Sequence, residues 1–282
     1  DVCGDGRLIA LNSYENRVYL VYAEVGDDVV VKFYRPGRWT DDQIAEEHQF
    51  ALQLQAAEIP VVAPLTLNGR TLHHAQDHRI AVYPRAGGRA PELDDPHVLE
   101  RLGRFLGRIH AVGATSDFKV RPTIDVQSYA VEPREFLLAS GFVPAELVQP
   151  WRAAGDQCIE AAQQAIERAG TVPAIRLHGD CHMGNVLWTD DGPHFVDLDD
   201  ARMGPAIQDL WMLLSGDRVS MTRQLCDVLA GYEDFAELDR RELGLLEAMR
   251  TLRLIHYSAW IARRWHDPAF PAAFPWFESH RY

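Results

Sequence analysis

The stretch Arg176–Gly204, RLHGDCHMGNVLWTDDGPHFVDLDDARMG, gathers the residue types best suited to chemistry. His178-x-Asp180 is followed five residues after the aspartate by Asn185, and Asp197-Leu-Asp199-Asp200 closes an apolar run. Phosphoryl transfer asks a protein for a carboxylate that orients an attacking hydroxyl and for oxygen ligands that hold a divalent cation on phosphate. Asp180 suits the first task. Asn185 and Asp197 suit the second, since Mg²⁺ keeps several waters and completes its shell with nucleotide phosphates. Each residue alone reads as a cap or a surface group. Together, in this order and behind a β-rich segment that carries a lysine, they match the arrangement of kinases. His178 is expected to brace the loop and Asp209, in GPAIQDLW, to accept loop N–H groups from below. Asp199 either assists Asp197 or caps a turn. His178 and His182 lie four apart, but Gly179 and Gly184 disfavour a regular helix there and no further His/Cys cluster supplies zinc ligands. Cys181 reads as a buried, inert thiol sooner than a redox switch.

Such a centre needs ATP held beside it. Lys32 lies in the apolar run VVVKFY, where a charge requires a partner, and it is expected to hold the α- and β-phosphates. In EEHQFALQL, Phe50 and Leu54 follow Glu47 by three and seven positions and share its helical face, so Glu47 is the expected partner of Lys32, with Glu46 the alternative. The loop Leu11-Asn-Ser-Tyr-Glu-Asn-Arg17 contains no glycine, yet its backbone N–H groups and the Ser13 hydroxyl can serve phosphate. Val82-Tyr-Pro-Arg-Ala86, with Tyr83 in it, is the expected hinge that meets adenine; Pro84 lacks an N–H, which leaves Ala86 as donor.

The elements that must position these groups are legible in outline. Residues 16–23 and 28–34 are rich in β-branched and aromatic side chains and predict a hairpin. Thr40 is a predicted N-cap for a helix to about Ala57, ended by Pro60. Short strands are expected at 61–67, 71–74 and 79–83, so the first region reads β-β-α-β-β-β. PRAGGRAP then marks a break, and helical periodicity follows over 97–112 and 145–169. Strands are expected at 174–177, 185–188 and 195–198, with DDG as the turn between the last two, and helices over 205–216, 219–235 and 240–265. The aromatic stretch 257–277, with Arg263 and Arg264, reads as core or as a groove. The expectation is an α+β, protein kinase-like two-lobed fold: a small β-rich N-lobe over 1–84 and a larger, mainly helical C-lobe over 85–282.

Composition sets bounds on partners. The chain has 282 residues, 47% of them hydrophobic, enough for more than one packed layer. Its net charge is -13, spread along the chain: 8 Lys/Arg and 12 Asp/Glu lie within residues 1–86. A diffusely acidic surface repels nucleic acid and anionic lipid, so neither is an expected partner. Four scattered cysteines without a C-x-x-C pair, and no long apolar segment, favour a reducing, cytoplasmic setting. A monomer is expected.

LNSYENRVY, VVKFYRP, EEHQFALQL, RLHGDCHMGNVLW and FVDLDDARMGPAIQDLWMLLSGD resemble, in order and over nearly the whole chain, the bacterial stress response kinase A family. That family belongs to the aminoglycoside phosphotransferase and choline kinase-like branch of the kinase fold. The resemblance implies a serine/threonine protein kinase that autophosphorylates and acts in the stress response, with protein substrates, ATP and Mg²⁺. It also implies that Ser13 is tied to ATP and that a further C-terminal helical segment exists. The motif by itself says phosphotransferase. A kinase of small alcohols, a silent ATP-binding module and a metal-dependent phosphohydrolase are the other readings it allows.

Overall fold

The computed structural model of the protein describes residues 3–277, and the chain forms two compact units. One holds the chain up to Pro122 together with Ala174–Glu237; the other holds Thr123–Pro173 and the chain from Leu238. The sheet region runs β1 (Gly4–Ala10), β2 (Arg17–Ala23), β3 (Val29–Phe33), α1 (Asp41–Ala56), β4 (His73–Ala75) and β5 (His78–Pro84). Then come α2 (Pro96–Gly113), α3 (Glu132–Ser140), α4 (Val148–Ala169), β6 (Ile175–Leu177), β7 (Val186–Thr189), β8 (Gly192–Phe195) and β9 (Arg202–Gly204). Helices α5 (Ile207–Trp211), α6 (Arg218–Tyr232), α7 (Leu246–Arg263) and α8 (Ala269–Ala273) complete the chain. The fold is α+β, with a β-sheet N-terminal region and a helical C-terminal region.

In the first unit the five strands pair antiparallel in the order β1-β2-β3-β5-β4. The expected hairpin is β2 with β3, and Lys32 sits mid-strand, opposite Val18 on one side and Ala81 on the other. Helix α1 starts where Thr40 and Gln43 cap each other: the threonine hydroxyl accepts the Gln43 N–H and the Gln43 side chain accepts the Thr40 N–H. Its buried face carries Ile44, Phe50, Ala51 and Leu54, and Ile44 packs in a cluster with Tyr34 and Ala81.

One strand expectation fails in this region, and one strand lies outside the expectations. Residues 61–67 form no strand, because Pro60 and Pro64 lack N–H groups and break any ladder. Their neighbours are satisfied one at a time, Val62 N–H by the Phe195 carbonyl at 2.9 Å and Leu65 N–H by that of Val82 at 2.7 Å. Conversely β1 was not expected; Gly4 and Gly6 mask its pattern, and all seven residues are exposed. The order is therefore β-β-β-α-β-β. The break read at 84/85 falls inside the first unit. Arg89 and Trp188 exchange both backbone hydrogen bonds, at 2.9 and 2.7 Å, which fastens the segment after β5 to β7.

Strands β6 and β9 pair antiparallel, as do β7 and β8 around Asp190-Asp191. The strand expected at 195–198 ends at Phe195. Asp197 adopts a left-handed conformation, φ 60°, which a strand cannot carry, and residues 198–200 turn into a single 3₁₀ turn.

Helix α2, capped by Asp95 with Pro96 in its first turn, packs on α6. The two backbones nearly touch at Gly103 and Gly231. A Cβ on Gly103 would lie 1.9 Å from the Val228 carbonyl oxygen, and one on Gly231 1.9 Å from that of Glu100.

In the second unit α7 packs on α3 and α4. The 257–277 aromatics are core here: Phe270, Phe274 and Phe277 are buried, and Tyr257 stacks on Trp260 at 5.4 Å. Helix α3 was not expected from the sequence. Among the described residues no helix is long and apolar enough to cross a membrane.

Alanine favours a helix interior over glycine by about 1 kcal/mol. At Gly103 the carbonyl of Val228 outweighs that gain, so Gly103→Ala should lower stability by more than about 2 kcal/mol. Chemical denaturation of wild type and variant measures it.

Candidate active site

Strand β6 delivers the chain to His178, and the loop 178–185 rests on one buried carboxylate. Asp209 Oδ2 accepts the His178 N–H at 2.8 Å and Oδ1 the Gly179 N–H at 2.9 Å. His110 Nε2 donates to Oδ2 at 3.1 Å. Burial works to raise the Asp209 pKa, but the His110 hydrogen bond and the loop N–H groups hold it below the usual carboxylate value. His178 braces the loop from the other side. Its Nε2 lies 3.0 Å from the Val196 carbonyl, which can only accept, so Nε2 donates and Nδ1 takes the Asp180 N–H at 3.4 Å.

Glycine is required at 179. Its φ is +82°, and a Cβ there would meet the Asp200 carbonyl oxygen at 2.1 Å. Past it the Asp180 carbonyl accepts the Asn185 Nδ2–H at 2.9 Å, and the Asn185 carbonyl accepts the Val196 N–H at 3.0 Å. These two bonds join Asp180 to Asn185 and Asn185 to the strand exit that presents Asp197.

Lys32 reaches this turn from β3. Its ammonium lies 2.9 Å from Asp197 Oδ1 and 3.2 Å from Asp199 Oδ1, while Lys32 itself is 5% exposed. Burial opposes the charge, yet Asp197 and Asp199 raise the lysine pKa well above its ordinary value. Burial also opposes ionisation of Asp199, but Lys32 and Arg38 bring its carboxyl down to about 2. Asp199 is thus a buried ion-pair member, not a turn cap.

The expected Lys32–Glu47 ion pair is not made among the described residues; Lys32 sits on Asp197 and Asp199 instead. Two carboxylates on one turn outcompete one on α1. Glu47 is 2% exposed, burial pushes its carboxyl up to about 7 against the pull of Lys32, and its Oε2 has no hydrogen-bond partner. Glu46 is committed elsewhere, accepting the backbone N–H groups of Lys119, Val120 and Arg121 at 2.6, 3.0 and 2.9 Å. Of the two candidates, only Glu47 faces the cleft.

That cleft has a volume of about 310 Å³. Ser13, Lys32, Glu47, Tyr83, Ala86, Asn185 and Asp197 all line it, and Val18, Val30, Leu187 and Val196 add an apolar surface. Asp180 is not among the lining residues and connects to it through Asn185. The Tyr83 hydroxyl lies 3.1 Å from that of Tyr34, which in turn lies 2.7 Å from His48 Nε2. Burial and the Lys32 charge bring the His48 pKa down to about 3. Cys181 is fully buried, and burial pushes its thiol well above the ordinary value, so it is no ready thiolate.

Arg121, in the stretch KVRPT, also belongs to the surroundings of the site. Its guanidinium donates to the carbonyls of Gln43, Asp199 and Ala201 and so ties α1 to the turn after Asp197. A lone arginine before a proline carries no local signal of that role.

The fold is that of a phosphotransferase: residues 7–254 match the phosphotransferase enzyme family, and the chain belongs to it. Within that class it is 51% identical over 278 residues to Stress response kinase A of Escherichia coli O157:H7, covering 99% of this chain and 84% of the relative. It is 48% identical over the same length and shares to the serine/threonine protein kinase RdoA of Salmonella typhimurium strain LT2. Among solved structures, an amicoumacin kinase superposes with a TM-score of 0.77 at 19% identity, over 98% of this chain and 88% of that one. A microcompartment-associated aminopropanol kinase does so with 0.77 at 20% identity, over 99% and 91%. At such identities these two show the fold.

Glu47 yields a prediction with a definite sign. Its carboxyl is raised from 4.5 to about 7 in the folded protein, so the folded state binds more protons than the unfolded state between those values. Its contribution is present below pH 4.5 and is lost as pH rises through 7. Glu47→Gln, which cannot ionise, should gain stability on wild type over that window by up to a few kcal/mol, with no further gain above it. Denaturant melts at steps between pH 4.5 and 8 read the difference.

Proposed function

We propose that the protein is an ATP- and Mg²⁺-dependent serine/threonine protein kinase that also phosphorylates itself and serves the bacterial stress response. One observation carries the catalytic part of this reading. Lys32, Asn185 and Asp197 converge on a single cleft that has an apolar surface and runs to Tyr83 and Ala86, with Asp180 bonded to Asn185.

The donor set fits Mg²⁺. Asn185 spends its Nδ2 on the Asp180 carbonyl, which leaves its amide oxygen for the cleft, and the Asp197 side chain is 47% exposed. Among the described residues no three His, Cys, Asp or Glu side chains converge as a metal site, so two hard oxygen donors need water and phosphate oxygens beside them. Bound there, the ion would draw negative charge off the phosphates.

The chain's own residues do the rest. Val18, Val30, Leu187 and Val196 offer adenine an apolar surface, and the backbone at Ala86 supplies the edge contact. Ser13 and its loop face the phosphates, which compete with Asp197 for the Lys32 ammonium. Asp180 orients the acceptor hydroxyl and takes its proton while the oxygen attacks the γ-phosphorus and the bond to ADP breaks. Protein as acceptor rests on relatives named as a stress response kinase and a serine/threonine protein kinase. A cytoplasmic monomer is the setting proposed with it.

The aminopropanol kinase fold-mate keeps a small-alcohol acceptor as the second reading. Transfer of radiolabel from ATP, offered protein and small-alcohol acceptors side by side, separates the two. Label in protein, including the enzyme itself, is expected; label only in a small alcohol replaces the protein kinase reading. Asp180→Ala should cut transfer by about 10³-fold with nucleotide affinity retained, and full activity in that variant would remove Asp180 from the mechanism.

A further inference from the structure

Ser13 and Asp197 face the same cleft from two loops far apart in the chain. The loop between β1 and β2 is closed at its base by the Leu11 N–H on the Val18 carbonyl, at 2.8 Å. Its far side ends on Asn16, which is 3% exposed and outside the cleft lining. Asn16 Nδ2 donates to Asp199 Oδ2 at 3.2 Å, a direct bond to the turn that carries Asp197. Asn16 Oδ1 accepts the Arg35 N–H at 3.1 Å, and the Arg35 guanidinium returns to the Glu15 and Tyr14 carbonyls at 2.8 and 3.2 Å.

Arg38, three residues on, finishes the connection. Its Nη1 donates to Asp199 Oδ2 and lies 3.7 Å from Glu15 Oε2, and its Nη2 donates to Asp200 Oδ1 at 2.8 Å. The side chain is 11% exposed. Burial opposes its charge, and Asp200, Asp199 and Glu15 more than offset that. Nothing in the kinase motif requires an asparagine at 16 or an arginine at 38.

We propose that Asn16 and Arg38 are positioning residues for the nucleotide, a tether that holds the Ser13 loop and the Asp197 turn in register so that both meet the same phosphates. The inference rests on reading the cleft as a nucleotide site. Neither side chain lines the cleft, so their effect travels through Ser13 and Asp197.

Asn16→Asp isolates the tether. It keeps an oxygen for the Arg35 N–H, hence the loop's own structure, and turns a carboxylate toward Asp199 in place of a donor. Affinity for ADP with Mg²⁺, measured directly, should weaken at least about tenfold, the worth of one charge-assisted hydrogen bond. KM for ATP should rise by a similar factor with a smaller change in kcat, a split that general loss of folded protein does not produce. In an Asp199→Asn background, where the side-chain amide can donate to the new carboxylate, Asn16→Asp should cost little. Wild-type affinity in Asn16→Asp, or an equal penalty in both backgrounds, overturns the tether. Should Asn16→Asp not fold, Arg38→Lys takes its place: lysine cannot hold Asp199 and Asp200 together, and an unchanged KM there overturns the proposal. A wild-type protein that binds no ADP would instead overturn the nucleotide reading itself, and the tether with it.

Discussion

The ammonium of Lys32, buried between Asp197 and Asp199, is the interaction on which the rest of the site depends. It joins the central strand of the sheet to a turn some 165 residues further along the chain. Removing a lysine and an aspartate from water costs several kcal/mol per ion, which only close and multiple pairing repays. The surroundings supply that pairing. Arg38 and Asn16 hold Asp199 on its second oxygen, and Arg121 holds the Asp199 and Ala201 carbonyls. The turn is thereby over-determined, and this accounts for Asp197 keeping a left-handed backbone that most residues avoid. Asp197 stays partly exposed while Asp199 is nearly closed off, so neighbouring carboxylates divide the work: one faces the cleft and the other anchors it.

A second buried carboxylate supports the opposite wall. Asp209 gathers the loop N–H groups of His178 and Gly179, and His110 from α2 steadies it. Because α2 is itself locked to α6 through the glycine contact, the loop bearing Asp180 sits on helices and not on solvent. The two supports meet at Asn185, which bonds to Asp180 on one side and to the exit of β8 on the other. Loops of irregular backbone thus acquire rigidity from the elements beneath them.

Membership of the phosphotransferase family and about half identity to a stress response kinase place this chain among kinases, and its fold is shared with an amicoumacin kinase and an aminopropanol kinase. In the structure the centre lies within one compact unit, built from the chain up to Pro122 and Ala174–Glu237. The aromatic stretch 257–277, a candidate groove from its sequence, is packed into the core of the other unit.

What the sequence determined was local pattern: Asp180, Asn185 and Asp197 at the spacing kinases use, a capped helix at Thr40, and a lysine within a strand. Spacing and caps are short-range, and short-range physics is written in neighbouring residues. Two elements are not legible in this way. Prolines at 60 and 64 defeated a β-branched run whose hydrogen bonds had to come from Phe195 and Val82, and an exposed, glycine-bearing β1 showed no alternation. Only the tertiary structure decided which partner Lys32 takes, that Glu46 is spent on a loop while Glu47 is buried at the cleft, and that Asn16, Arg38 and Arg121 brace the turn. Each of those choices is a competition among charges distant in sequence, won by burial and proximity, and proximity of that kind exists only once the chain has folded.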